Sequence, residues 1–297
     1  MSGPLVVKLG GELLDEPRKL QTVVSALERI VRQESAGVVI VHGGGKEIDA
    51  ALKRAGIEKR QVDGLRITDE LTLDVVVSVL AGAINTRLVA ALSAAGVVAV
   101  GLTGADGRCG LADLAPPHRT VDGQTVELGR VGIPSNAGDT RLLTTLMGDR
   151  FVPVIACIGL ERDGRLLNVN ADTFAGHLAA RLRARRLVIA GTTPGVLDGA
   201  GATAAVLEPS ALARLIEERT ATAGMIAKLR ACEHALASGV ADVVIVDGQD
   251  RAALEAAALD TAPPTATRLI PAGVKSCATT GGAQRDVRSG YRHRNER

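Results

Sequence analysis

The segment Val38-Val39-Ile40-Val41-His42-Gly43-Gly44-Gly45-Lys46-Glu47-Ile48-Asp49 restricts the possible folds of this chain more than any other. Four consecutive β-branched residues favour a short buried strand. Three glycines follow, and Ile48, Ala51 and Leu52 then recur at helical spacing, which predicts a helix over 46–55. A strand that runs through a glycine turn into a helix leaves backbone N–H groups unpaired at the positive end of the helix dipole. That is an anion-binding geometry, and the missing Cβ atoms let a ligand approach the chain. The alternative is a tight connection that needs glycine only for its backbone angles, although one glycine usually suffices for a turn.

The rest of the chain alternates in the same way. Strands are expected at 5–8, 38–41, 97–102, 152–158, 187–190, 242–246 and 267–270. Helices are expected at 18–34, 139–147, 172–182, 209–218, 225–237 and 251–257. A long helical region over 71–95 reads as one helix or as two pieces broken near Gly82, and 62–67 reads as an extended segment around Gly64. Between Thr103 and Val131 the pattern changes to glycines, Pro116-Pro117 and short alternating runs, which predicts β-hairpins projecting from the main sheet. Alternating β and α over this length predicts a mostly parallel sheet covered on both faces. After Pro271 there is no apolar periodicity, and five arginines accompany Gly281-Gly282, as in a disordered basic tail.

Composition removes several functional classes. Only Phe (two) and Tyr (one) supply aromatic rings, so single-stranded nucleic acid has no stacking platform. A net charge of +2 gives no argument for a nucleic-acid partner. No uninterrupted apolar run reaches about 18 residues, which predicts no membrane span. Cys109, Cys157, Cys232 and Cys277 form no C-x-x-C pair and have no histidine at metal spacing. Buried free thiols and a cytoplasmic location are expected from this.

In open α/β sheets ligands bind beyond the carboxyl ends of the strands. Lys8-Leu9-Gly10-Gly11 closes the first strand and His42-Gly43-Gly44-Gly45 the second, while Asn168-Val169-Asn170-Ala171-Asp172 opens a helix. Asp172 at a helix start also suits a cap, and Asn168 and Asn170 also suit a turn. Lys8 amid apolar neighbours and glycines makes a poor solvated charge. Arg66 suits a bidentate grip on a carboxylate or a surface ion pair with Asp63 or Asp69. Lys228 also reads as an ordinary exposed helix lysine. Neither G-x-x-x-x-G-K-[ST] nor a strand-linked G-x-G-x-x-G is present, which disfavours P-loop ATPases and nicotinamide dehydrogenases.

Six segments occur in order: Lys8-Leu9-Gly10-Gly11, His42-Gly43-Gly44-Gly45, Gly64-Leu65-Arg66-Ile67-Thr68, Asn168-Val169-Asn170-Ala171-Asp172, Pro194-Gly195-Val196-Leu197-Asp198 and Gly224-Met225-Ile226-Ala227-Lys228. Together they resemble the amino-acid kinase family, over about residues 5–270. The resemblance implies a three-layer αβα sandwich with a mostly parallel sheet, the carbamate-kinase-like fold. It implies one domain over 1–275, with an acyl-amino-acid lobe (about 1–182), a nucleotide lobe (about 183–275) and the tail at 276–297. Within the family, the members most like this chain phosphorylate the side-chain carboxylate of N-acetyl-L-glutamate with ATP and Mg²⁺, in arginine biosynthesis. By the resemblance, Lys8 and Lys228 flank the transferring phosphoryl group and Asp172 orients both. Gly44, Gly45, Arg66 and Asn168 hold the acceptor. Gly11 and 192–197, including Thr192, Gly195 and Leu197, line the nucleotide site with 220–222, including Thr222.

Chemistry supports such roles. A carboxylate acceptor with a pKa near ~4 is ionised at pH 7, so no general base is needed. Positive charge and oriented N–H groups around the phosphoryl oxygens are needed. Three departures from the family pattern stand out: Thr192 where an acidic residue is usual, Ala223 before Gly224-Met225, and Lys46 after the third glycine, which adds charge near the site or points to solvent. Related kinases acting on N-acetyl-aminoadipate, glutamate, aspartate, carbamate or UMP are the near alternatives. A non-catalytic nucleotide-binding protein on the same fold is the distant one. Arginine-inhibited members carry an extra N-terminal helix that builds hexamers. A first strand near Leu5 therefore predicts an arginine-insensitive homodimer, with the 71–95 helix as its contact surface.

Overall fold

The computed structural model describes residues 3–120, 123–197, 201–217, 223–259 and 262–271. The expectations for Asp198, Thr222, Cys277 and the 276–297 tail fall outside the described residues.

Eight strands form the main sheet. Their order is Val206–Leu207, Thr267–Leu269, Val243–Asp247, Arg186–Gly191, Leu5–Leu9, Val38–His42, Val152–Ala156 and Ala99–Thr103. Neighbours pair in parallel except Val243–Asp247 with Thr267–Leu269. The central strands Leu5–Leu9, Val38–His42 and Arg186–Gly191 are buried along their whole length. A parallel strand covered on both faces has no solvent side, so its sequence is continuously apolar rather than alternating. Helices Pro17–Gln33, Asn85–Ala94 and Arg251–Leu259 pack together in one layer, and Ala171–Arg181 packs with Ala223–Ala237 in the other. This is the three-layer α/β architecture expected from the alternation.

The segment from Glu70 to Ala94 is one continuous helix. Of the two alternatives at Gly82, the unbroken helix is the one that forms. The chain widens into a π-type stretch over Ser78–Ile84, which accommodates glycine without ending the helix. Asp69 caps this helix by accepting a hydrogen bond from the Thr72 N–H at 2.9 Å. The helix is long and apolar enough to cross a membrane, although no uninterrupted apolar run within it reaches about 18 residues. Val76, Leu80, Ile84, Leu88 and Leu92 are buried in the protein core.

The region after Thr103 forms a second, four-stranded sheet in the order Ile158–Leu160, Leu166–Val169, Val131–Pro134, Ala112–Leu114. Two small hairpins accompany it, Gln61–Val62 with Leu65–Arg66 and His118–Arg119 with Thr125–Val126. The first turns through Asp63 and Gly64, both at positive φ, a conformation glycine adopts readily. Cys109, Cys157 and Cys232 are buried free thiols, as expected.

Candidate active site

The register of the central strands puts their carboxyl ends level. Leu9 pairs with His42 on one side and Ala190 on the other, so the turns at Gly10, Gly43 and Gly191 emerge side by side. A Cβ added to Gly11 would lie 2.5 Å from the Gly44 Cα, and one added to Gly44 would lie 2.3 Å from Ile84 Cδ1 and 2.8 Å from Leu80 Cδ2. None of Gly43, Gly44 and Gly45 is at positive φ. These glycines therefore serve close approach, not backbone angle. Gly45 has nothing within 4 Å of its Cβ position and starts the helix Gly45–Arg54, which no side chain caps. Its first-turn N–H groups are left without a side-chain acceptor.

Three residues distant in sequence meet at this edge. Lys8 Nζ lies 2.9 Å from Asp172 Oδ1, and Lys228 Nζ lies 3.4 Å from Asp172 Oδ2. Asp172 is not the helix cap. Asn170 is, with its side-chain oxygen accepting from the N–H groups of Asp172 (3.0 Å) and Thr173 (3.1 Å). Asp172 in the first turn is thereby left for the lysines. Burial alone would raise its pKa, but the two ammonium groups outweigh it and hold the carboxyl at about 2. Burial lowers the Lys8 pKa, and Asp172 more than reverses this, so it stands above its ordinary value. Burial and the nearby Lys8 charge depress Lys228. The charge of an arriving anion would offset both effects on Lys228.

A cleft of about 480 Å³ opens beside the triad. It is lined by Lys8, Asp172, the Gly43–Gly45 turn, Arg66 and Asn168, among others. Sequence reasoning offered Asp63 or Asp69 as surface partners for Arg66. The structure gives it Asp49, through Nη2, and the Gly45 carbonyl at 3.4 Å. Arg66 Nη1 is buried and has no hydrogen-bond partner, which leaves a charged donor for a ligand. Asn168 Nδ2 donates to Thr68 Oγ1 at 3.0 Å, and Thr68 Oγ1 donates to the Arg66 carbonyl at 3.0 Å. This relay fixes Asn168 against the arginine-bearing hairpin. The two small hairpins are tied by His118 Nε2 and Asp63 Oδ2 at 2.9 Å, closing one side of the cleft. Asp49, Thr68 and His118 were missed from the sequence, because their roles come from partners far along the chain.

Other nucleophiles and bases are muted. Burial lowers the His42 pKa to about 4, and its Nε2 sits 3.0 Å from Asn85 Nδ2. Burial pushes the Cys157 thiol up to about 12. Lys46 reaches away to Asp15 at 3.5 Å with most of its side chain exposed. Thr192, Gly195 and Leu197 do not line the cleft. Thr192 and Leu197 are exposed, and Gly195 packs under Thr267, whose Oγ1 accepts from the Val196 N–H at 2.8 Å. Gly11 does line the cleft.

Comparison with known proteins identifies the family. An acetylglutamate kinase from Novosphingobium aromaticivorans is 42% identical over 255 residues, covering 82% of this chain and 83% of that protein. One from Methanopyrus kandleri is 40% identical over 245 residues, covering 82% and 94%. Among solved structures, the N-acetylglutamate synthase from Neisseria gonorrhoeae, bound to coenzyme A and N-acetyl-glutamate, superposes with a TM-score of 0.76 at 23% identity. The match covers 90% of this chain and 59% of that one. The model of the amino acid kinase family matches residues 3–247. With that match over most of its length and relatives at about 40% identity, this chain belongs to the amino acid kinase family.

Proposed function

We propose that this chain transfers the γ-phosphoryl group of ATP to the side-chain carboxylate of N-acetyl-L-glutamate, giving N-acetyl-L-glutamyl 5-phosphate and ADP. The reading rests on the names of its relatives and on one observation. Two lysines share a buried carboxylate beside a cleft that Arg66, with its unpaired Nη1, also lines.

In this reading Arg66 holds the α-carboxylate of the acceptor. Asn168, with its amino group spent on Thr68, offers a carbonyl oxygen to the acetamido N–H. Gly44 and Gly45 let the reacting carboxylate approach the helix start. That carboxylate is ionised at pH 7, so an oxygen attacks phosphorus while the bond to the ADP oxygen breaks, with no proton to move. Lys8 and Lys228 face the phosphoryl oxygens as their charge spreads in the transition state, and Asp172 keeps both ammonium groups in place. The nucleotide lies over Gly11 and the 192–197 loop, against Thr192, Gly195 and Leu197, and reaches Thr222. It belongs to a lobe of about 183–275, the acceptor to one of about 1–182. No group of three or more His, Cys, Asp or Glu side chains among the described residues is placed to hold a metal. That suits Mg²⁺ carried on nucleotide phosphates with one or two protein carboxylates. When bound, it neutralises phosphate charge.

The chain is proposed to act as a cytoplasmic homodimer. Hydroxylamine trapping tests the activity: a hydroxamate forms with ATP and N-acetyl-L-glutamate and not with free glutamate or aspartate. The cleft volume also admits one more methylene, and faster turnover of N-acetyl-aminoadipate would favour that acceptor instead. ATP binding with no hydroxamate from any acid would favour a non-catalytic binder.

A further inference from the structure

We propose that Glu12 is the protein carboxylate that ligates the nucleotide's Mg²⁺, directly or through a water, and so supplies the acidic group that the 192–197 loop lacks. The proposal rests on the phosphoryl-transfer reading above.

Glu12 lies in a single 3₁₀ turn, Gly11–Leu13, immediately beyond the strand that carries Lys8. Its side chain folds back over the turn. A Cβ on Gly10 would lie 2.4 and 2.6 Å from its two carboxylate oxygens, and a Cβ on Gly191 would lie 3.4 Å from Oε1. The carboxylate therefore spans the carboxyl ends of two neighbouring strands, Leu5–Leu9 and Arg186–Gly191. One leads to the lysine triad and the other into the loop at Thr192. Glu12 also lines the cleft with Lys8, Gly11 and Asp172. A side chain at Gly10 would displace this carboxylate, whereas one at Gly191 would only touch it.

The electrostatics leave Glu12 with unfinished chemistry. Asp172 is committed to both lysines, and Thr192 has no carboxylate. Among the described residues Glu12 makes no hydrogen bond or ion pair within 4 Å, although its charge is close enough to favour the protonated forms of Lys8 and Lys228. A bare carboxylate where phosphates must sit repels them unless a cation lies between. Mg²⁺ takes six oxygens, most of them waters and phosphate oxygens, with one or two carboxylates completing the shell. One free carboxylate beside two phosphate-facing lysines meets that requirement.

The test uses Mn²⁺ as the probe for Mg²⁺ and AMP-PNP as the nucleotide. Mn²⁺ binding to the full-length protein–AMP-PNP complex is followed by electron paramagnetic resonance, and AMP-PNP binding in EDTA by calorimetry. Glu12→Gln is expected to weaken Mn²⁺ binding on the order of 10-fold, as loss of a metal-site partner does. It should leave metal-free AMP-PNP binding unchanged or tighter. Glu12→Asp, should the first variant fold poorly, is expected to retain part of the Mn²⁺ affinity. A change in Mn²⁺ affinity below about threefold, or an equal loss with and without metal, overturns the role of Glu12. If the wild type makes hydroxamate while Glu12→Gln binds Mn²⁺ normally, only this inference fails. If the wild type binds no Mn²⁺–AMP-PNP and makes no hydroxamate, the functional reading fails with it.

Discussion

Asp172 holds two ammonium groups that would otherwise repel each other across a buried site. Lys8→Ala is expected to lower kcat on the order of 10²–10³-fold, the scale of losing one preorganised transition-state donor. Steady-state hydroxamate assays would read it, and a loss below about threefold would place Lys8 outside the site. Arg66→Ala should raise KM for the acid and spare KM for ATP, since Arg66 lines the cleft and its unpaired Nη1 is proposed to hold the acceptor's α-carboxylate. The reverse split would assign Arg66 elsewhere. Protons act in a defined direction at these groups. Burial holds His42 and His177 neutral with pKa values of about 4, below the ordinary 6.5. The unfolded chain therefore takes up protons first, and their contribution to stability, complete above about pH 6.5, is lost as pH falls toward 4. The Asp172 ion pairs then lose theirs as pH falls from about 4 toward 2. Urea unfolding at pH 7, 5.5 and 4.5 should show falling stability, with a smaller fall in His177→Gln. A flat profile would contradict the buried neutral imidazoles.

The Gly43–Gly45 turn contains two different demands in adjacent residues. Gly44 sits under Leu80 and Ile84 of the long helix, so Gly44→Ala is expected to cost roughly 1–3 kcal/mol of stability by overpacking, measured by urea unfolding. Gly45 faces open space, so Gly45→Ala should fold with unchanged stability and raise KM for the acid. Equal stabilities for the two variants would refute this division. From the sequence the three glycines look alike, and the strand–turn–helix element was legible from β-branching and periodicity alone. What distinguishes Gly44 from its neighbours is Ile84, forty residues away. The π-type stretch over Ser78–Ile84 was illegible for a related reason. A glycine in a helical pattern signals weakness, and whether the helix breaks or widens there depends on what packs against it.

At the scale of the molecule, Ala99–Thr103 is an edge strand of the main sheet, and the helix Asn85–Ala94 packs beside it. Val98, just before this strand, is 58% exposed. An unprotected edge with apolar neighbours is a surface that natural proteins cover. The proposed homodimer covers it, so light scattering should give twice the chain mass, and Val98→Lys should shift the population toward monomer. A wild-type monomer would refute the contact.

The α/β class, the parallel sheet and the glycine turns were determined by the sequence by itself, because burial pattern and backbone freedom are properties of neighbouring residues. The six ordered motifs also pointed to the family and to Lys8, Asp172 and Lys228 together. Only the tertiary structure decided that Asn170 caps the helix so that Asp172 is left for the lysines. It also gave Arg66 Asp49 as its partner, and set Glu12 between two strand ends. The Asn170 cap is local, but the other contacts join groups from 17 residues apart, as for Arg66 and Asp49, to well over a hundred, as for Lys8 and Asp172, set by strand register and layer packing, and no local pattern encodes them.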